Sequence, residues 1–406
     1  MTFLGYFIFE STTLLKNRKN LSIILLFLTS CFLYSFWQIT TYQPKEDINQ
    51  ALITRQINGL VGRLAELAEL ELEPEIEGEI FQTNLALQTQ EERLNYLERN
   101  ELVKYAAVTA DYYQDLLWRA NSGLSIPRRY FSYKHHYGKN DGHYAYGYKG
   151  RQLQAFSQVD FPVTTDLIAE KSALHFLNRS FTYFLPFSLL IASTLMSMDS
   201  LIKEQAHPSL FQALPIKRHH VLLLKLSLHF LISLLLFFLG LTIILALTSY
   251  YYQFGYLQTP MPIFDGTYQM VGRPLENLEN FTVKPIIFLL FYNSLFLWLL
   301  IVTNLSLILF LNHFFPRSFL VALVSFSSLG AHSLIAYRGY GTFREISWQP
   351  LTYTQFGNIL SGEKNYLLGS QTIALWKGTY LFASSLLLLQ LFIYLLAELT
   401  ERRKHR

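Results

Sequence analysis

The sequence predicts an all-α polytopic membrane protein: six transmembrane helices, both termini cytoplasmic, and a mainly helical extracellular domain between helices 1 and 2. Three observations carry this expectation. Hydrophobic residues make up 51% of the 406 and charged residues only 15%, against about 25% charged in soluble domains. The apolar residues gather into runs of about 20, the length that crosses a roughly 30 Å hydrocarbon core. Basic residues flank those runs in a pattern that alternates from one side of a membrane to the other.

Residues 1–41 combine an N-terminal segment with the first span. Phe3, Leu4, Phe7 and Leu14 recur at helical spacing ahead of Lys16, Arg18 and Lys19. Two readings fit: a leader or early extension of the span, or a helix lying in the inner interface and pinned by the basic cluster. The apolar run at about 21–40 is too long for the core of a signal peptide, and no small-residue cleavage motif follows it. It holds Cys31, the only cysteine, so a disulfide within the chain is impossible.

Residues 42–177 form the predicted extracellular domain. Ile53, Ile57, Leu60, Leu64 and Leu67 repeat with a 4-3-4-3 spacing, a helix seam. Leu87, Leu94 and Leu97 give a second, and the stretch from Glu71 to Glu79 separates them through Pro74 and Gly78. The pattern predicts a helical hairpin, then a third helix from Asp111 to Ala120. Residues 124–163 are rich in Tyr and Gly and read as loops or short strands. A last helix from Thr165 to Asn178 is expected to run straight into the second span.

Residues 178–406 carry five further runs, at about 180–198, 221–249, 286–311, 318–337 and 373–398. Basic residues precede spans one (Lys16, Arg18, Lys19), three (Lys217, Arg218) and five (Arg317), and Arg402, Arg403, Lys404 and Arg406 follow span six. Six spans place all four clusters on the cytoplasmic side. The short inner loop 199–220 then lies on that side. Segments 250–285 and 338–372 join the large domain on the other.

Chemistry-bearing patterns are few. The phosphate cradle G-x-x-x-x-G-K-[ST] is absent from the sequence, so the chain is not expected to hydrolyse nucleotide by that route. No protease-type triad or H-E-x-x-H appears, and the chain is read as non-catalytic with no cofactor of its own. His135, His136, Asp141 and His143 match no closed zinc spacing and read as a solvated aromatic loop. Residues 45–122 hold 15 acidic and seven basic residues, net −8. Such a run is usually a solvated face, though it would repel anions and tolerate cations. Within the spans Lys225, His229 and His332 are the notable ionisable groups, and an ionisable group in a span is a functional candidate by default. Lys225 is expected to snorkel to the interface. No Asp or Glu lies deep in a span, which disfavours an ion-coupled carrier. Asn293, Asn304, Ser325, Ser328 and His332, together with Thr303, are polar groups that either line a pathway or link helices.

The sequence between spans two and three runs M-D-S-L-I-K-E-Q-A-H-P-S-L-F-Q-A-L-P-I-K-R-H-H-V-L-L-L-K from Met198 to Lys225. With the short N-terminal helix and the six spans, this loop resembles that of the membrane subunits of type-2 ABC exporters. The matching residues are Asp199 or Glu204, the Leu214-Pro215 turn, Lys217-Arg218 and Lys225. Pro208-Ser209 stands where that family often has Gly-Thr. The resemblance implies a permease in a bacterial, Gram-positive type plasma membrane. It would pair with a second permease chain, identical or related, and contact a separate ATP-binding subunit that holds ATP and Mg. Leu214, Pro215 and Ile216 would be the apolar contact with that subunit, with Glu204, Lys217 and Arg218 around them. Lys217 and Arg218 also fix topology, and the two roles coexist. Short re-entrant helices in 338–372 would fit the same family. The apolar, aromatic spans imply an amphipathic cargo such as a peptide, lipid-like molecule or drug. The alternative is a sensor or scaffold whose outer domain binds a ligand and signals to a cytoplasmic partner. The absence of any sizeable inner domain weighs against it. Nothing in the sequence points to nucleic acid.

Overall fold

A computed structural model describes residues 3–70, 73–121, 125–131, 140–201, 217–266, 278–315, 317–325, 347–369 and 371–404. In chain order its longer elements are α1 (Phe3–Lys16), α2 (Arg18–Thr41), α3 (Gln50–Ala68), α4 (Pro74–Glu98), α5 (Leu102–Asn121), α6 (Asn140–Phe156), α7 (Thr165–Ile168), α8 (Ala173–Tyr183) and α9 (Leu185–Ser197). There follow α10 (Arg218–Tyr251), β1 (Pro260–Phe264), β2 (Phe281–Pro285), α11 (Ile286–Phe314), α12 (Phe356–Leu360), α13 (Glu363–Leu368) and α14 (Leu375–Lys404).

The chain is a helical membrane protein. Helices α2, α10, α11 and α14 are each long and apolar enough to cross a bilayer. Helix α11 is the central one: its most apolar stretch is 61% buried, against 17% for α2 and for α14. The outer faces of α2 and α14 instead present Leu25, Leu26, Leu387 and Leu388, as lipid-facing helices do. Residues 318–325 are helical, whereas the rest of the expected fifth run lies outside the described residues.

The expected continuous helix from Thr165 into the second span is broken twice. Glu170 adopts a left-handed backbone (φ 56°) between α7 and α8. At Phe184 the chain bends by 55° between the 165–182 and 185–197 segments. Pro186, in the first turn of α9, supplies no N–H to the preceding turn, so a start there is tolerated and a continuous ladder is not. If the bent pair is counted as one crossing, the described residues hold five.

The polar segment folds as a helical head. The predicted hairpin is present as α3 and α4, with Pro74 opening α4 and exposed Arg63 reaching Glu66 (2.9 Å) and Glu79 (2.8 Å). The expected third helix is longer than its periodic core, spanning all of α5. Residues 140–156, expected as loop or short strands, are the helix α6. Its glycines serve close packing rather than turns. A Cβ on Gly147 would lie 2.6 Å from the Phe281 ring, and one on Gly150 would lie 2.9 Å from Leu278.

One polar network is buried inside the head. Arg93 donates to Glu46 at 2.7 Å and to Thr109 at 3.1 Å. The hydroxyls of Tyr105 (2.6 Å) and Tyr113 (2.8 Å) donate to the two oxygens of the same carboxylate. The charge is therefore paired and its lone pairs are used, the condition under which a buried ion pair is tolerated.

The described parts of 250–285 and 338–372 join this head. Strands β1 and β2 pair antiparallel, the one sheet among the described residues. Tyr144 of α6, Phe264 of β1, Phe281 of β2 and Tyr366 of α13 form one aromatic cluster, with Phe264 and Tyr366 ring centroids 4.9 Å apart. The described part of 338–372 holds two short helices, α12 and α13.

A second charged knot welds the head to the spans. Lys149 of α6 donates to Gln152 (2.8 Å), to the Ile168 carbonyl (2.6 Å) and to Glu170 (3.1 Å). The Glu170 carbonyl accepts from Arg179 of α8 at 3.1 Å. The Arg179 guanidinium lies 3.5 Å from the ring centre of Tyr42, which caps α2. It also covers Phe176, which stacks on Tyr252 at the end of α10. Arg179 thus meets the end of α2 directly and the end of α10 through Phe176.

Two buried basic residues, Arg93 and Lys364, give stability predictions. Arg93→Met strands the Glu46 carboxylate and should cost roughly 3–5 kcal/mol, the range for breaking a buried pair. Unfolding of the head, followed by limited proteolysis, reads this loss, and an unchanged profile would contradict it. Burial also holds Lys364 of α13, which donates to the Thr352 carbonyl at 2.8 Å, down at about 7 from an ordinary 10.5. Between those values the unfolded chain keeps a proton that the folded chain has released, so stability rises with pH across that window. Calorimetry in neutral detergent should show a thermal midpoint climbing from pH 7 to above pH 9, with a shallower climb in Lys364→Met. An equal slope in the two proteins would rule this out.

Candidate functional site

The loop singled out in the sequence leaves the bundle at Leu201 and re-enters it at Lys217. Glu204, Leu214, Pro215 and Ile216 lie outside the described residues. The two bases of the loop are described, and they form a charged collar.

Helix α9 ends in a turn that is held from two sides. Asp199 pairs with Lys19 of α2 at 2.9 Å, and Lys19 also donates to the Leu195 carbonyl at 2.9 Å. The Ser200 carbonyl accepts from Lys225 of α10 at 2.7 Å. Leu201 is buried with Leu222, Leu309, Ile393 and Ala397, which come from α10, α11 and α14. Full burial of one leucine side chain stabilises by roughly 1.5–3 kcal/mol, so the first residue of the loop is anchored by packing as well as by charge.

The returning base is tied to the C-terminal helix. The Arg218 backbone N–H donates to Glu401 of α14. Lys217 precedes the helix in an extended conformation and is exposed. His219 meets the Tyr394 ring at 5.5 Å.

Lys225 does not snorkel to the interface. It is 2% exposed and points inward, where its ammonium donates to Glu10 at 2.9 Å. The physical reason is supply of a partner. Tyr6, Glu10 and Leu14 fall on one face of α1, and all three are buried. Tyr6 packs on Val221 and Leu224, which brings Glu10 against Lys225 one turn further along α10. Segment 3–16 is therefore a helix clamped to the third apolar run. Sequence reasoning missed Glu10 and Glu401 and read Lys19 only as a topology-setting base. The available signal was the 4-4 spacing of Tyr6, Glu10 and Leu14, a lone carboxylate on an otherwise apolar helix face.

The polar residues expected along the spans divide. Asn304 of α11 donates to Thr194 of α9 at 2.9 Å, a link between helices. Thr303 reaches the Phe382 carbonyl at 3.4 Å and Gln390 donates to Ser306 at 2.7 Å, two further links of α11 to α14. Asn293 is buried, and its Oδ1 has no hydrogen-bond partner among the described residues. Ser325 is buried at the end of its helical stretch. Ser328 and His332 lie outside the described residues, as do His135 and His136. Asp141 and His143 fall on α6, where an Asp141 oxygen accepts from the Gly142 N–H at 3.1 Å. Among the described residues no three His, Cys, Asp or Glu side chains are grouped to hold a metal ion.

The collar sits at the end of the bundle opposite the head. Helix α2 runs from Lys19 at the collar to Tyr42 at the head, and α10 runs from Arg218 to Tyr252 in the same sense. No family model, curated protein or solved structure matches this chain.

The Glu10–Lys225 pair gives a sharp test. Lys225→Met alone leaves a buried carboxylate and should cost roughly 3–5 kcal/mol, while the double change Glu10→Gln with Lys225→Met should recover most of that loss. Denaturant unfolding of the four proteins in detergent measures the coupling. Additive losses would show that the two side chains do not depend on each other.

Proposed function

We propose that this chain is the membrane subunit of a type-2 ABC exporter in a bacterial plasma membrane. In this reading six spans place both termini and the collar on the cytoplasmic face, and the head lies outside. A second permease chain, identical or related, completes the conduit. A separate ATP-binding subunit supplies ATP, Mg and hydrolysis, and the cargo is an amphipathic peptide, lipid-like molecule or drug.

The observation that carries the proposal is the collar. A loop of about 15 residues is braced at both bases by α1, α2, α10 and α14. Force applied to such a loop reaches helices on both sides of the bundle instead of being absorbed by slack chain. That is what a coupling element needs, because a strong two-state shift demands on the order of 5 kcal/mol of differential interaction. The basic residues support the orientation: Lys19, Lys217, Arg218 and Arg402 gather at the collar end. The head end, in contrast, carries the net −8 helical segment.

Purified alone, the chain should hydrolyse no ATP, and it should co-purify with an ATP-binding subunit encoded beside it. In that complex Pro215→Ala and Arg218→Ala should leave the chain folded and its ATP turnover measurable while cargo export falls at least about tenfold, the loss of some 1.4 kcal/mol of coupling. Normal export at normal ATP turnover in these variants would refute the coupling role.

A further inference from the structure

A cavity of about 320 Å³ opens where the head meets the apolar helices, between α6, the strand pair and the segment after α10. Its size falls at the lower end of small-ligand sites. Arg151, Gln154 and Gln158 of α6 line one side, and Gln258 and Lys284 line the other. Among the described residues no carboxylate lines it.

The depth of the cavity follows from the chain. Lys284 and Pro285 are the last residues before the apolar α11, and Gln258 follows the end of α10 by seven residues. Tyr250, Tyr251 and Phe254 at that end of α10 are all exposed. Aromatic residues in such a position mark the headgroup level of a bilayer. The cavity therefore opens at the membrane interface.

Among the described residues neither of its two cations has a carboxylate partner. Arg151 donates Nε to the Phe281 carbonyl at 3.0 Å and one terminal nitrogen to Gln154 at 2.6 Å. These neutral partners fix the guanidinium and leave its charge uncompensated. Lys284 is exposed and lies 6.0 Å from the Phe288 ring centre. A fixed guanidinium and an exposed ammonium beside glutamine amides fit a phosphate ester: a planar fork for two oxygens, a point charge, and neutral donors for the ester and hydroxyl groups.

We propose that this cavity binds the phosphodiester headgroup of an anionic lipid, with Arg151 and Lys284 as the charged contacts. The site is independent of the export reading, since it requires only that α10 and α11 cross a membrane. A basic pocket at the end of a span is a recognised arrangement for an anionic headgroup. The fixed guanidinium keeps the site formed whether or not lipid is present.

The test uses the full chain in neutral detergent, with phosphatidylglycerol or phosphatidylcholine added back. Native mass spectrometry and thermal unfolding are the readouts. The wild-type chain should retain phosphatidylglycerol preferentially and be stabilised by it. Arg151→Gln with Lys284→Gln should bind it roughly thirtyfold more weakly, as expected for losing two interfacial cations. The charge-conserving Arg151→Lys with Lys284→Arg should keep most of the preference. This second variant separates loss of charge from loss of fold. Competition by glycerol phosphate would assign the site to a soluble phosphate ester in place of the lipid and would overturn the lipid assignment. An equal response to the two lipids, or an undiminished preference in the glutamine variant, would overturn the anion site itself.

Discussion

A lysine ammonium inside an apolar helix bundle must have a partner, and that requirement organises the loop end of this protein. Leaving the charge unpaired in a low-dielectric interior would cost several kcal/mol. Lys225 therefore takes Glu10 and the Ser200 carbonyl together. One contact draws the N-terminal helix onto α10, and the other draws the end of α9 onto the same residue. The loop that follows Leu201 starts from a fixed platform because this one cation is satisfied from two directions.

The opposite end follows the same logic with a different cation. Arg179 spans the Glu170 carbonyl, Tyr42 and Phe176, and Tyr252 at the end of α10 joins through its stack on Phe176. Lys149 brings α6 of the head to the same carboxylate-bearing turn. Helix α10 thus connects two knots, one beneath the head and one beneath the loop. A rigid helix between two fixed charged junctions moves as a unit, and displacement at one end is felt at the other.

Much of the architecture was legible in the sequence, and the failures have physical causes. Periodic apolar runs gave α2, α10, α11 and α14 within a few residues, and the seam from Ile53 to Leu67 gave α3. Such patterns are local and need no tertiary information. Residues 140–156 were misread because Gly and Tyr usually signal turns. Here Gly147 and Gly150 are set by the proximity of Phe281 and Leu278, more than 100 residues away in the chain. Lys225 was misread for a similar reason. Whether a lysine snorkels or pairs depends on a carboxylate 215 positions earlier. The polar residues of α11 were legible as polar but not as linked, since Asn304 finds Thr194 only once the bundle has packed. The loop was read from its resemblance to a permease loop, and of its site residues only Lys217 and Arg218 are described.

The most direct test is photocrosslinking from residue 215 in native membranes, since the account depends on what this loop touches. A photoreactive side chain introduced at Pro215 should give an adduct with an ATP-binding polypeptide that carries the phosphate cradle, and it should be shielded from impermeant reagents applied outside the cell. Labelling of residue 215 by such a reagent, or adducts with lipid alone, would contradict the account.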